Sequence, residues 1–237
     1  MQVVLLRVGI DTGSGGIHGP LFADGSFELI PIPDGFGVDS RTYGNTMGRR
    51  GRRFVDYFPA TQRSQMDGRS MHVDPEFETF TYGDPTPPKQ GLRRLQNGDF
   101  LVFYAGLSGW DFESSPALYI VGFFEVERAG LAPGFSAGEL ERLFGANFHV
   151  RHRGVFKQQR GKLVLVKGSS RSRLLERAVL LSEMAVDKKG RPLKVMSQPM
   201  REIFGDFGGK VSIQRSPPRW VREGNIARAE RFIRSLA

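Results

Sequence analysis

The chain has 237 residues, 39% of them apolar and 19 of them Phe, enough to bury a sizeable core and too hydrophobic for disorder. It has no cysteine, which excludes disulfides, thiolate metal sites and cysteine nucleophiles, and no apolar run approaches the ~20 residues of a membrane-spanning helix. The net charge of +9 is uneven: residues 1–141 carry 12 Lys/Arg against 18 Asp/Glu, and residues 142–237 carry 22 against 7.

A basic back half on an acidic front half suggests a polyanionic partner. An Arg-favouring genome would give the same excess without one, since 26 of the 34 basic residues are Arg. The start, MQVVLLRVGIDTG, lacks the basic region and cleavage site of a leader. The expectation is a cytoplasmic protein with no membrane contact. Residues 1–237 are expected to form one domain, with a basic segment (142–237) packed on an acidic, β-rich segment (1–141).

Residues 2–10 form an apolar, β-branched run and predict a buried strand. DTGSGGIHGP (11–20) is too rich in glycine to be a helix and predicts a loop. LFADGSFELIPIP then reads as a hairpin turning at Asp24-Gly25, with Pro31 and Pro33 confining its second arm to an edge. Residues 34–91 show little periodicity. Phe54, Val55, Tyr57, Phe58, Phe77, Phe80 and Tyr82 nevertheless argue for an ordered, packed segment, and ordered loops of this length are usually functional.

Gln90–Leu95 reads as a helical turn and Asn97-Gly98-Asp99 as a tight turn. FLVFYAGL and ALYIVGFFEVERAG (117–130) are the strongest strands and a natural antiparallel pair. Ser136 caps a helix running to Phe144, with Glu139 completing a capping box. KLVLVKG (162–168) predicts a strand, and residues 169–185 predict a helix with Leu174, Leu175, Ala178, Leu181 and Met184 on one face. The tail from Asn225 predicts an amphipathic helix lined by Ile226, Ala229, Phe232, Ile233 and Leu236. The fold class is mixed α+β and β-rich: a central antiparallel or mixed sheet, or a small barrel, with flanking helices and long ordered loops.

Four stretches can carry chemistry. In the loop after the first strand, Asp11 and His18 are candidate catalytic groups, with Thr12 and Ser14 as ligand contacts. Ligands collect beyond strand carboxyl ends, and glycines let backbone N–H groups approach an anion. The loop matches neither a Walker nor a dinucleotide fingerprint, and local capping by Asp11 and Thr12 would also account for it. At 167–173 a predicted helix start with Lys167, Ser169, Ser170 and Arg171 would suit a phosphate, or needs no ligand if the serines only cap.

In the third stretch, His72 and Asp74 are further catalytic candidates and Tyr82 and Asp84 ligand contacts; the imidazole with the carboxylates of Asp74, Glu76, Glu78 and Asp84 could hold a divalent metal, although the spacing fits no zinc motif and a loop of solvated acids is the plainer reading. The fourth ends a strand on Tyr104 and places Trp110 in the next loop, where aromatics can stack on a base; an ordinary amphipathic hairpin has the same pattern. Its layout is similar to the small barrels of base-reading domains associated with pseudouridine synthases. For nucleic-acid phosphates the candidates are Arg49, Arg50, Arg52, Arg53, Arg151 and Arg153.

The blocks LLRVGIDTGSGGIHGP, DGSFELIPIPD, HVDPEFE with TYGD, LRRLQNGDFLVFYAGL and LVKGSSRSRLLERA, in this order, resemble the third nucleotide-modification-associated domain family. The resemblance implies a bacterial, archaeal or phage protein encoded near DNA base-modification and restriction enzymes. Asp11, Thr12, His18, His72, Asp74, Tyr82 and Asp84 fall on its polar blocks; RRGRR (49–53) and the basic tail have no counterpart in it. The reading favoured is a nucleic-acid- or nucleotide-acting protein that binds a phosphate-bearing ligand in a cleft, with the reaction and the cofactor open. Alternatives are an enzyme acting on a phosphorylated metabolite or nucleotide, and a non-catalytic interaction module.

Overall fold

The computed structural model describes residues 1–209, 213 and 217–236. In chain order the strands are β1 (Val3–Arg7), β2 (Gly19–Leu21), β3 (Ile32–Pro33), β4 (Met71–His72), β5 (Thr81–Asp84), β6 (Phe100–Gly109), β7 (Ala117–Leu131), β8 (Val164–Gly168), β9 (Arg173–Leu180), β10 (Ser182–Val186), β11 (Pro192–Met196) and β12 (Arg219–Trp220). The helices are α1 (Ala60–Asp67), α2 (Ala137–Phe144), α3 (Phe148–Arg151), α4 (Arg153–Gln159), α5 (Gln198–Phe204) and α6 (Glu223–Arg234). None of the described helices is long and apolar enough to cross a membrane.

Two long strands, β6 and β7, form the antiparallel spine of a mixed sheet. Both are apolar over most of their length, and their runs Phe100–Leu107 and Ile120–Val126 are buried on both faces, as strands covered on each side must be. The outer edge of β6 carries two shorter strands end to end, β1 and β2, both parallel to it. The outer edge of β7 likewise carries β9 along its first half and β8 along its second. β12 extends the sheet beyond β1, and β5 extends it beyond β8.

Eight of the described strands thus join in one mixed sheet whose path ends at β12 and β5. It does not close into a barrel. It curls nonetheless: the Tyr82 ring of β5 lies 6.0 Å from that of Phe103 in β6, three strands away along the sheet path. The main core fills this curl, with Phe77, Phe103 and Phe124 meeting edge to face.

The glycine-rich loop leaves the sheet at Arg7, opposite Tyr104, and returns at Gly19, opposite Leu107. Residues 8–18 therefore bulge out over a short stretch of β6. The expected turn at Asp24-Gly25 is present, with Gly25 at φ 83° and Phe22 N–H bonded to the Ser26 carbonyl at 2.9 Å.

Residues 34–91 are ordered as their aromatics suggested. Tyr43, Val55, Tyr57, Phe58, Met66 and Met71 build a second small core with Ile10, Phe22 and Ile30. Ser136 and Glu139 form the expected capping box on α2. The apolar face of α6 packs on α5 and the sheet, though Arg222 stands at its N-cap and the Asn225 amide instead donates to the Glu202 and Ile203 carbonyls.

The helix expected over 169–185 is absent. β9 and β10 occupy that span, and β10 forms a hairpin with β11. The first half of β7 needs a neighbour on its outer edge, and sheet pairing there overrides the helical preference of LLERAVLLSEMA.

Candidate functional site

β4 ends on His72, opposite Ile32 of β3. Two residues on, Asp74 accepts the Gly83 N–H of β5 at 3.0 Å and 3.2 Å on its two carboxylate oxygens. α3 is short and is seated by buried polar groups. Asn147 at its N-cap accepts from the His149 N–H at 3.1 Å and donates to Thr81 Oγ1 at 3.2 Å. The buried Glu76 accepts the Phe148 N–H at 2.9 Å. Together they press His149 onto Gly83, where an added Cβ would lie 2.7 Å from the imidazole and 3.0 Å from Asn147 Oδ1. Only glycine fits.

His72 Nε2 and His149 Nε2 lie 3.0 Å apart, and His149 Nε2 is 3.5 Å from Asp74 Oδ2. The far nitrogen of His149, Nδ1, is 2.6 Å from Gln159 Oε1 at the end of α4. Burial, reinforced by the His149 charge, pushes His72 down to about 3. Burial pushes Asp74 up to about 6 and, with the Asp74 charge beside it, Glu76 up to about 7. For His149 burial opposes the charged ring, but Asp74 and Gln159 raise it above the ordinary imidazole value. Opposed shifts of this kind, clustered at the base of a cleft, mark candidate functional groups.

This cluster floors an open cleft of about 770 Å³ beyond the carboxyl end of β1. Arg7 at the end of β1 and Asp11 and Ser14 of the glycine-rich loop line it, as do Asp84 at the end of β5 and Lys89. Each cation is held by a carboxylate: Arg7 by Asp11 at 3.0 Å and Lys89 by Asp84 at 3.3 Å. Asp84 also accepts the Tyr82 hydroxyl at 3.0 Å. Three Asp, at 11, 74 and 84, outnumber the Arg and Lys that line the cleft.

A family model described as nucleotide modification associated domain 3 matches residues 2–234. The chain belongs to that family. Comparisons with curated proteins and with solved structures find no match. In this member of the nucleotide-modification-associated domain 3 family, the whole cleft lining lies inside the matched region, and the acidic front half and the basic back half both contribute to its floor.

Of the residues singled out from the sequence of this family member, Asp11, Ser14, His72, Asp74, Tyr82 and Asp84 meet in the cleft. Thr12 is exposed and is not among the lining residues. His18 and Trp110 line a separate hollow of about 380 Å³ with Tyr57 and Arg63. Burial, then the Lys194 and Arg7 charges, lower the His18 pKa. Tyr104 is fully buried and donates to the Ile213 carbonyl at 3.0 Å, which makes it a core residue and not a stacking platform.

The expected helix start at 167–173 is a turn between strands. Lys167 donates to the Thr79 carbonyl, Arg171 pairs with the buried Glu125, Ser169 Oγ accepts the Arg171 N–H, and Ser170 is exposed. With no helix there, no free N–H groups collect to hold an anion. Arg49 donates to the Leu175 carbonyl, Arg50 pairs with Asp24, Arg53 with Asp56 and Arg151 with Asp39. Arg52 and Arg153 are exposed. The buried Glu28 accepts the backbone N–H groups of Arg49 and Arg50, so it organises the RRGRR turn from inside.

Sequence reasoning missed Arg7, Lys89, His149 and Gln159. His149 sits in FHVRHRG, one of only four histidines in the chain, and that scarcity was its one available signal.

Proposed function

We propose that this protein acts on nucleic acid or a nucleotide in the service of base modification, binding the phosphate-bearing ligand in the cleft beyond β1. The observation that carries the reading is that Arg7 and Lys89, from distant segments of the chain, both line that cleft. Each is oriented by a carboxylate, above a floor of titratable groups with displaced pKa values. Family membership supplies the class of ligand.

A basic approach to the cleft supports a polymeric ligand. Lys188, Lys189 and Arg191 are exposed around the tip of the β10–β11 hairpin. Further along β11, half-buried Lys194 lies close enough to Arg7 and Asp11 to feel both charges. Phosphates tracking along the hairpin would be led to the wall that Arg7 forms.

The test is a binding titration with single-stranded and duplex oligonucleotides and with nucleoside monophosphates. A polymeric ligand should lose roughly tenfold or more in affinity between ~50 and ~200 mM salt. Arg7→Ala and Lys89→Ala should weaken both ligand classes, whereas a Lys188→Ala/Lys189→Ala double variant should weaken only the polymer. Absence of binding by every ligand at the lowest salt would remove this reading.

A further inference from the structure

We propose that His72, Asp74 and His149 hold one divalent first-row transition-metal ion at the floor of the cleft, with Gln159 as the positioning residue for His149. The three groups come from separate places in the chain, β4, the residues after it and α3. They nevertheless bring one ligand atom each within 4.8 Å of the others. Tetrahedral ligands about 2.05 Å from an ion stand roughly 3.3 Å from one another. The two shortest separations here, 3.0 Å between the imidazole nitrogens and 3.5 Å from His149 Nε2 to Asp74, bracket that edge.

Hydrogen bonding points the same way. Gln159 Oε1 is an acceptor, so His149 Nδ1 carries the proton in that 2.6 Å contact, and in the neutral ring, the form a metal binds, Nε2 is left with a lone pair. That lone pair faces His72 Nε2 and the Asp74 carboxylate. A ligating histidine generally donates its outer N–H to an oxygen acceptor behind it, and Gln159 Oε1 holds that place here. The Gly83 N–H on Asp74 and the cap of α3 hold the other members in place.

The donor set selects the class of ion. Two imidazoles and one carboxylate, with no thiolate in the chain, suit Zn²⁺, Fe²⁺, Co²⁺ or Mn²⁺ better than all-oxygen ions such as Ca²⁺. Three protein ligands leave coordination positions open, as in catalytic and not structural sites, and the open side faces the cleft. There the ion would supply the positive charge the lining lacks, to a phosphate oxygen or a bound water. That role rests on the nucleotide reading; the metal site itself does not.

The experiment uses full-length protein stripped with a chelator and dialysed. It is titrated with Zn²⁺ by calorimetry, with Co²⁺ by visible absorption, and anaerobically with Fe²⁺. The expected result is one ion per chain, micromolar or tighter, with Co²⁺ absorption bands of nitrogen–oxygen ligation; tight Zn²⁺ or tight Fe²⁺ each supports the site and identifies its ion. His72→Ala and Asp74→Asn should abolish binding, and Gln159→Ala should weaken it by about 10- to 100-fold, each checked for folding by circular dichroism.

Wild-type protein that binds none of these ions, or Co²⁺ bands unchanged in the His72 and Asp74 variants, overturns the proposal. The wild-type Co²⁺ spectrum decides the matter even where a variant fails to fold. Nucleotide titrations of the stripped and loaded protein separate the two readings: ligand binding without metal binding sinks only the metal site, and metal binding without ligand binding sinks only the nucleotide cleft.

Discussion

The glycine-rich loop over residues 8–18 and the cluster built by β4, β5 and α3 line one cleft, and both place carboxylates and hydrogen-bonding groups there. In the loop the polar groups find partners within a few residues. Asp11 Oδ1 accepts from the Gly13 and Ser14 N–H groups and from Ser14 Oγ, and its other oxygen holds Arg7. In the floor, His72 and His149 meet across 77 residues, with Asp74 beside them. A polar cluster that closes on itself locally shapes a wall. One assembled from distant segments, with its ligand atoms turned toward one another, is a place for a ligand.

The comparison breaks first at Gly83. Gly83→Ala puts a methyl against His149 and Asn147 with nowhere to move. It should cost about 1–3 kcal/mol of stability as an overpacked site and displace His149 from its partners. Urea denaturation measures the first effect, and a Zn²⁺ titration of the folded variant should show affinity down at least 100-fold. Wild-type behaviour in both would mean that α3 is not seated on β5.

Asp39, outside the cleft lining but paired with Arg151 of α3, gives the support of the floor a pH signature. Burial favours its neutral acid, but Arg41, with Arg151 beside it, more than offsets that and holds the carboxyl well below the usual range. A depressed folded value means stability that is present above the ordinary carboxylate pKa of ~3.9 and is lost as pH falls toward the folded value. Asp39→Asn should therefore cost about 2 kcal/mol at pH 7, as expected for buried charged hydrogen bonds. The deficit should shrink on acidification below about pH 4. Thermal melts from pH 7 to pH 3 test it, and a deficit that stays constant with pH would show that the Arg151 tie to α3 is not electrostatic.

Asn147 acts on the same helix with a smaller effect. Asn147→Ala removes the cap of α3 and the tie to Thr81, and should cost about 1 kcal/mol while lowering metal affinity less than Gly83→Ala does. A metal affinity equal to that of the wild type would mean that Gln159 alone positions His149.

The same contrast explains what could be read in advance. β1, β6, β7, β8 and α2 announced themselves because apolar alternation, turn residues and a capping box are local signals, and local preference agreed with the final packing. Residues 169–185 misled because Leu, Glu and Ala favour a helix while the open edge of β7 demands strands, a demand recorded in no single segment. His72 and Asp74 stood out by residue type, but their partner His149 lies in a basic stretch that reads as a phosphate contact, and no spacing rule links positions so far apart. Tyr104 looked like a strand-end aromatic at a mouth; the neighbouring chain at Ile213 covers it, which a strand pattern cannot reveal.

The smallest effect belongs to the loop. Asp11→Ala removes three short-range hydrogen bonds and the Arg7 pair from a half-exposed site, and backbone N–H groups freed there can turn to water. The loss should be about 0.5–1 kcal/mol, with metal affinity at the floor within twofold of wild type. Nucleotide affinity should nevertheless fall several-fold, because Arg7 loses the partner that aims it across the cleft. If Asp11→Ala instead abolished metal binding while the fold stayed intact, the ion would have to lie against the loop, and the division between a shaping wall and a reactive floor would be wrong.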